Sequence, residues 1–186
     1  MKKTFFTILL ALLFCGAIVS AQKTGYSEKH GNTFNLGIGI GGYGGYYNYV
    51  GHSVPVVDIN YEFDVARNFT LAPFISFSSY RNGYYWNDNT YYFHESIIPI
   101  GVKGSYYFDQ IFQAGPKWDF YLAGSLGFAI IRTSWDNGYN GDRGYYQAGS
   151  PFFFDFHAGA EYHFNHHVGG FLDLSTGVST IGLSFK

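Results

Sequence analysis

Cysteine is almost missing: Cys15 is the only one among 186 residues, and it sits in a leader-like N-terminus. Everything downstream is therefore without disulfide staples and paired-thiolate chemistry, whatever the redox state of its compartment. Charge is scarce too. Charged residues make up 13% of the chain, about half of the roughly 25% usual in a soluble domain. With Lys2 and Lys3 set aside, 9 basic residues face 13 acidic ones, and no basic run exists to track a phosphate backbone. Nucleic acid is excluded as a partner on that ground. Also lacking, past the first 21 residues, is any long apolar run. A bundle of membrane-crossing helices, each needing about 20 consecutive apolar residues, is thereby ruled out.

The N-terminus itself is informative. Lys2 and Lys3 precede an apolar stretch from Phe5 to Val19, and Val19, Ser20 and Ala21 give the small-x-small pattern read by signal peptidase. The expectation is a cleaved signal peptide over 1–21, a short segment over 22–32, one domain over 33–186, and export. The apolar run is too short for an anchor. Phe14 stands before Cys15 where a lipidation signal needs a small residue, so no lipoprotein is expected.

Aromatics are abundant, at 22%, and glycines number 25. From residue 33 they fall into period-two rows, the side-chain repeat of a strand. Phe34, Leu36, Ile38 and Ile40 alternate with Asn35, Gly37, Gly39 and Gly41, and Val57, Ile59, Tyr61 and Phe63 with Asp58, Asn60, Glu62 and Asp64. Similar rows start at Phe69, Ile98, Phe120, Phe152, Leu172 and Ile181, which makes eight strands. Gly-, Tyr- and Asn-rich stretches at 41–53, 79–90 and 134–150 read as long loops. Those at 65–68 and 165–167 read as tight turns, 109–116 as intermediate, and the one at 176–178 as unusually short. Long connections on one side and short ones on the other are the asymmetry of an outer-membrane barrel.

Alternation does not say which face is outside; volume does. Eight strands enclose a space just wide enough to be filled by side chains. A row such as Phe152, Phe154 and Phe156, repeated on every strand, does not fit there, whereas Gly37, Gly39, Gly101, Gly127, Gly159 and Gly182 do. The expected fold is all-β: an eight-stranded antiparallel up-and-down transmembrane barrel with its bulky side chains in lipid. Aromatics near the short turns (Tyr61, Phe63, Tyr106, Tyr107, Phe108, Trp118, Phe120, Tyr162 and Phe164) read as an interfacial girdle. Pro73 and Pro99 fall inside strands without a ladder donor, so a bulge is expected at each.

On the segment Ile98-Pro99-Ile100-Gly101-Val102-Lys103, running into Tyr106-Tyr107-Phe108, and on the closing Ile181-Gly182-Leu183-Ser184-Phe185, residues 33–186 resemble the outer-membrane β-barrel domain family. The porin-like group with OmpX- and OmpA-type barrels is the part most similar. The resemblance implies outer-membrane localisation, with membrane lipid and the barrel insertion machinery as partners. Ile181, Leu183 and Phe185 would be the insertion signal, from which Lys186 after Phe185 is a departure. The family includes structural, adhesive and uncharacterised members; no cofactor is expected here.

Four sets of residues carry candidate chemistry. Inward charges come first: Asp58, Glu62, Glu95, Lys103, Asp155, His157, Glu161 and Asp173. Charges in a low-dielectric lumen must pair or change protonation, so a hydrogen-bonded plug is expected. Glu62, Lys103 and Glu161 are expected at one level, Asp155, His157 and Asp173 higher, and Glu95 near the loops. Acids outnumber bases, so either a carboxyl near His157 holds its proton or His157 stays charged. The rival reading is a proton or ion path. Second, His94 and Ser96 share the outward parity. Lipid A deacylases of the outer membrane are similar in having a His-x-Ser pair facing lipid, which makes a lipid-modifying enzyme the main functional alternative. Third, His163, His166 and His167 cluster at a turn, but without cysteine or a convergent acid no metal site is expected. Fourth, Tyr46, Tyr47, Tyr84, Tyr85, Trp86, Trp135, Tyr139, Tyr145 and Tyr146 lie among Asn, Asp and Gly. That mixture suits recognition of a surface protein or glycan. The glycine-rich 41–45 precedes no helix and follows no phosphate-loop pattern. The combined expectation is a non-enzymatic barrel, with an enzyme or a small solute pore as alternatives.

Overall fold

A computed structural model describes residues 30, 32–42, 54–86, 89–108, 117–135 and 152–186. The rows fold into eight antiparallel strands: β1 (Thr33–Gly41), β2 (Val54–Ala66), β3 (Phe69–Trp86), β4 (Asn89–Tyr107), β5 (Trp118–Trp135), β6 (Phe152–His163), β7 (Val168–Ser175) and β8 (Val178–Phe185). Each strand pairs with the next, and β8 returns to β1 from Phe185↔Phe34 to Val178↔Gly41, closing the barrel. Closure leaves no strand edge through the paired wall, as backbone groups in hydrocarbon require. No helix among the described residues is long and apolar enough to cross a membrane, which does not bear on crossing by strands.

The apolar rows face outward. Ile38, Leu126, Phe152, Phe154, Phe156 and Ile181 are each more than half exposed, while Thr33, Thr70, Ser76, Ser105 and Ser184 are buried inside. Inward glycines are close approaches made for inward rings. A Cβ on Gly159 would stand 2.1 Å from Cζ of Tyr121, and one on Gly101 2.7 Å from Phe74. Gly127 leaves room for Phe153, and Gly37 with Gly182 for Phe171. Val56, Phe153 and Val178, with Phe74 against them, form a dry cluster in the lumen.

Turn chemistry sets the short side. Asn68 takes the left-handed conformation (φ 56) between β2 and β3, which Asn tolerates better than most residues. Between β6 and β7, Oδ1 of Asn165 accepts the backbone N–H groups of His167 (2.8 Å) and Val168 (2.9 Å). At the opposite end β7 and β8 are joined through Thr176 and Gly177 alone.

Three expectations are corrected. The loop read over 79–90 is mostly strand: β3 and β4 stay paired from Ser79↔Ser96 up to Trp86↔Asn89. Neither proline makes a bulge. The β3–β4 register is the same at Ile75↔Ile100 and Ser78↔Ile97, on either side of Pro99, and Pro73 pairs with Val102. Each proline interrupts one ladder, β2–β3 beside Pro73 and β3–β4 beside Pro99, while its other side stays paired. The β2–β3 register shift falls instead between Asp64 and Ala66, beside the turn. Tyr107 leaves the expected girdle: it points inward and is 1% exposed. On β5 and β6 the girdle is built outside, with Trp118 against Tyr162 (4.8 Å between centroids) and Tyr162 against Phe164 (5.6 Å).

The wall is uneven. β3, β4 and β5 have 18, 19 and 18 residues, but β7, β8 and β1 have 8, 8 and 9. At about 3.3 Å per residue the tall side runs roughly twice as far along the strand as the low side.

Candidate functional site

Alternation sends every second side chain of eight strands into one narrow space, so acids far apart in sequence meet in layers. Near the loop end Glu95, fully buried, accepts the Tyr80 hydroxyl and the Thr133 Oγ1 hydrogen at 3.0 Å. Below it Asp155 accepts from Thr176 Oγ1 (3.3 Å). Asp58 accepts from Ser76 and from Nδ2 of Asn60 (3.1 Å), whose own Oδ1 accepts from Asn35 (2.9 Å).

Asp173 is the hub of the next layer. Lys103 Nζ donates to it at 2.9 Å, the Tyr121 hydroxyl at 2.9 Å, and His157 Nδ1 lies 2.7 Å away. The other ring nitrogen of His157 meets Ser125 Oγ at 2.8 Å, so this histidine is held at both ends. Glu62 accepts from Thr70 and from the Tyr107 hydroxyl (2.6 Å). Lys103 makes its hydrogen bond to Asp173, which sequence reading grouped with Asp155 and His157. Asp155 accepts from Thr176 of the β7–β8 turn and lines the same small cavity as His157 and Asp173.

A last layer closes the short-turn mouth. Asp119 on β5 and Glu161 on β6 are cross-strand partners. Nε2 of His163 lies 2.8 Å from Asp119 and its Nδ1 3.4 Å from Glu161. Ser184 donates to Glu161 at 2.6 Å, and Lys186 Nζ stands 3.9 Å from each carboxylate. From the segment before β1, His30 inserts its ring: it stacks on Tyr107 (centroids 4.1 Å apart, planes 3° apart), and Nδ1 lies 3.3 Å from Asp119. Its backbone N–H donates to Asp64 at 3.2 Å.

Alternation with outward Phe120 puts Asp119 on the inward face without giving it a role, and His30 is left out altogether. Parity alone flags Asp119. His30 lies outside any alternating row, so no periodic signal points to it. His163 turns inward, away from His166 and His167, which are exposed in the turn. The three histidines therefore do not converge.

His94 and Ser96 do share the outer face of β4. His94 lies between Arg81 of β3 and Ser134 of β5, and Ser96 between Ser79 and Arg132. Glu95 between them points into the lumen, as strand alternation demands. The outward residues of β3, β4 and β5 include no carboxylate among those described. Of the aromatic candidates, Tyr84, Tyr85 and Trp86 belong to strand β3, with Tyr85 exposed. Trp135 ends β5 and packs against buried Phe93 (5.0 Å between centroids). Tyr46, Tyr47, Tyr139, Tyr145 and Tyr146 lie outside the described residues, as do the expected leader and its cleavage point. Ile181, Leu183 and Phe185 all face outward on β8.

No family model and no curated protein matches this chain. Among solved structures it is similar to a de novo designed transmembrane β-barrel, at 12% identity and a TM-score of 0.46, over 86% of this chain and 98% of that one. It is also similar to Ail, the attachment invasion locus protein of Yersinia pestis, in complex with the heparin analogue sucrose octasulfate. Identity there is 10% and the TM-score 0.38, over 82% of this chain and 97% of that one. Another structure of Ail gives 10% and 0.36 over 83% and 98%. Likenesses this distant concern architecture and carry no argument about activity.

Proposed function

We propose that the chain is a non-enzymatic outer-membrane β-barrel, exported by the leader over 1–21. Its work would be to stiffen the envelope and to hold an aromatic-rich wall at the cell surface. One observation carries this reading: burial is inverted, with large apolar side chains exposed outside on every strand while acids, hydroxyls and glycines lie inside beside a few inward rings and aliphatic side chains. Water does not tolerate an apolar surface of that extent, whereas lipid does. Membrane lipid is then the partner of the wall, and the outward row Ile181, Leu183 and Phe185 is what the insertion machinery would read. The tall side formed by β3, β4 and β5 supports the surface part of the reading. It lifts Tyr85, in sequence with Tyr84 and Trp86, above the apolar belt; Tyr46, Tyr47, Tyr139, Tyr145 and Tyr146 add to this reading from sequence alone. A surface protein or a glycan is the ligand class that such tyrosines suit.

Cell fractionation with a gel run before and after boiling tests the membrane assignment. A folded barrel migrates anomalously until heated; material soluble in the periplasm overturns the proposal. Binding to glycan and surface-protein arrays, lost on replacing Tyr84, Tyr85 and Trp86 by alanine, tests recognition.

The second reading, a lipid-modifying enzyme, rests on His94 and Ser96 standing on the lipid-facing side of one strand. Among the described residues the outward positions of β3, β4 and β5 carry no carboxylate to serve as the third member such nucleophiles use. Ser96→Ala with lipid A acyl content as readout decides: unchanged lipid removes the enzyme.

A further inference from the structure

We propose that Asp119, Glu161 and His163, together with His30, form a binding site for a divalent transition metal of zinc-like chemistry at the short-turn mouth of the barrel. One ligand atom from each of Asp119, Glu161 and His163 lies within 4.8 Å of the other two. Both acids are 4% exposed, and His30 is 2% exposed. Nitrogen from two histidines and oxygen from two carboxylates is a donor set zinc accepts, in a tetrahedron with bonds of about 2.0–2.2 Å and edges of roughly 3.3 Å. Two of those edges are already near that length: His163 Nε2 to Asp119 Oδ2 at 2.8 Å and His30 Nδ1 to the same oxygen at 3.3 Å. His30 stands outside the three whose ligand atoms lie mutually within 4.8 Å, so side-chain adjustment of both Glu161 and His30 completes the set.

Placement of the ligands is built into the fold. Asp119 and Glu161 are direct cross-strand partners, and His163 is the next same-face residue on β6. Outer partners also exist, as ligands of a real site need. Ser184 donates to Glu161 at 2.6 Å, and His30 is held flat against Tyr107. Charge argues the same way. Two buried carboxylates on adjacent strands need compensation. Lys186, 3.9 Å from each, and the histidines when protonated supply it. A divalent cation supplies it with both histidines neutral, once the partly exposed lysine swings out. Lys186 is thus a built-in competitor. Binding would tie the segment carrying His30 to β5 and β6 and so fasten the mouth.

The test uses untagged protein extracted from membranes in detergent, stripped with chelator and titrated with Co²⁺ and then Zn²⁺. Expected are one saturable equivalent, the visible absorption of four-coordinate Co²⁺, and its loss when Zn²⁺ displaces it. Asp119→Asn and His163→Ala should each weaken binding about tenfold or more, with boiling-dependent gel mobility unchanged. Lys186→Met should tighten it. Binding insensitive to Asp119 and His163 but abolished by replacing His166 and His167 would mean an adventitious surface ion and overturn the proposal. If either ligand variant fails to fold, Lys186→Met remains decisive, since unchanged affinity overturns it too.

Discussion

At the scale of single residues, the interior is held by groups that cannot be removed one at a time. Asp173 receives Lys103 at 2.9 Å, Tyr121 at 2.9 Å and His157 at 2.7 Å, all with little solvent. Lys103→Met leaves that carboxylate short of its cation, and breaking a buried pair costs about 3–5 kcal/mol. Urea unfolding in detergent should show a loss of that order, and a loss under about 1 kcal/mol would mean that His157 and Tyr121 suffice. Tyr121→Phe removes one hydrogen bond to a charged group and should cost about 1.5–3 kcal/mol. Steric fit is equally local. A Cβ on Gly159 would lie 2.1 Å from Cζ and 2.3 Å from the hydroxyl oxygen of Tyr121. Gly159→Ala should therefore destabilise by about 1–3 kcal/mol through overpacking. In a double-mutant cycle with Tyr121→Ala that cost should largely vanish, because the clash has a single source; additive costs would place the strain in the backbone of β6 instead.

At the scale of strands, depth decides what a charge costs. Leu126 lies mid-strand on the outer face of β5 and is 63% exposed. Ser134, eight positions on, belongs to the raised upper part. Leu126→Arg should cost about 2–4 kcal/mol of folding stability in lipid and Ser134→Arg at most about 1, if the belt is in hydrocarbon and the raised wall is not. Unfolding of both in lipid vesicles, with equal costs as the adverse result, checks it. Strands with plain alternation are legible in the sequence: β1, β2, β6 and β8 have their outer rows where period two puts them. The top of β3 and β4 is not. Asn82, Gly83 and the tyrosines around them have loop composition, and only the cross-strand partner, Tyr84 with Tyr91, makes them strand. Pairing is non-local, so composition misleads. The mouth cluster is hidden for a related reason: Asp119 and Glu161 are 42 positions apart and meet through the β5–β6 register, while His30 arrives from outside any row.

For the whole molecule, inversion of burial and filling of the lumen are two faces of one constraint. A ring of eight strands is too narrow to admit the bulky rows, so they go out, and what remains inside must fill the bore or leave voids. Here it fills. The dry cluster of Val56, Phe74, Phe153 and Val178 lies against the charged layers, and a cavity of about 30 Å³ lined by Asp58, Lys103, Asp155, His157 and Asp173 has room for a water or two. Purified protein in planar bilayers should therefore give no stepwise conductance. The stronger form of the prediction concerns a variant. Phe74→Ala with Phe153→Ala empties the dry layer, each truncation costing about 3–5 kcal/mol if the site does not collapse. Below it the Asp173 hub still spans from β4 to β7 through Lys103, and the mouth is still covered by His30 on Tyr107. Layers in series block independently, so the double variant should unfold more easily and still not conduct. Steps in the variant but not in the parent would place the whole barrier in one aromatic layer, and the charged layers would then be a hydrated channel wall instead of a plug.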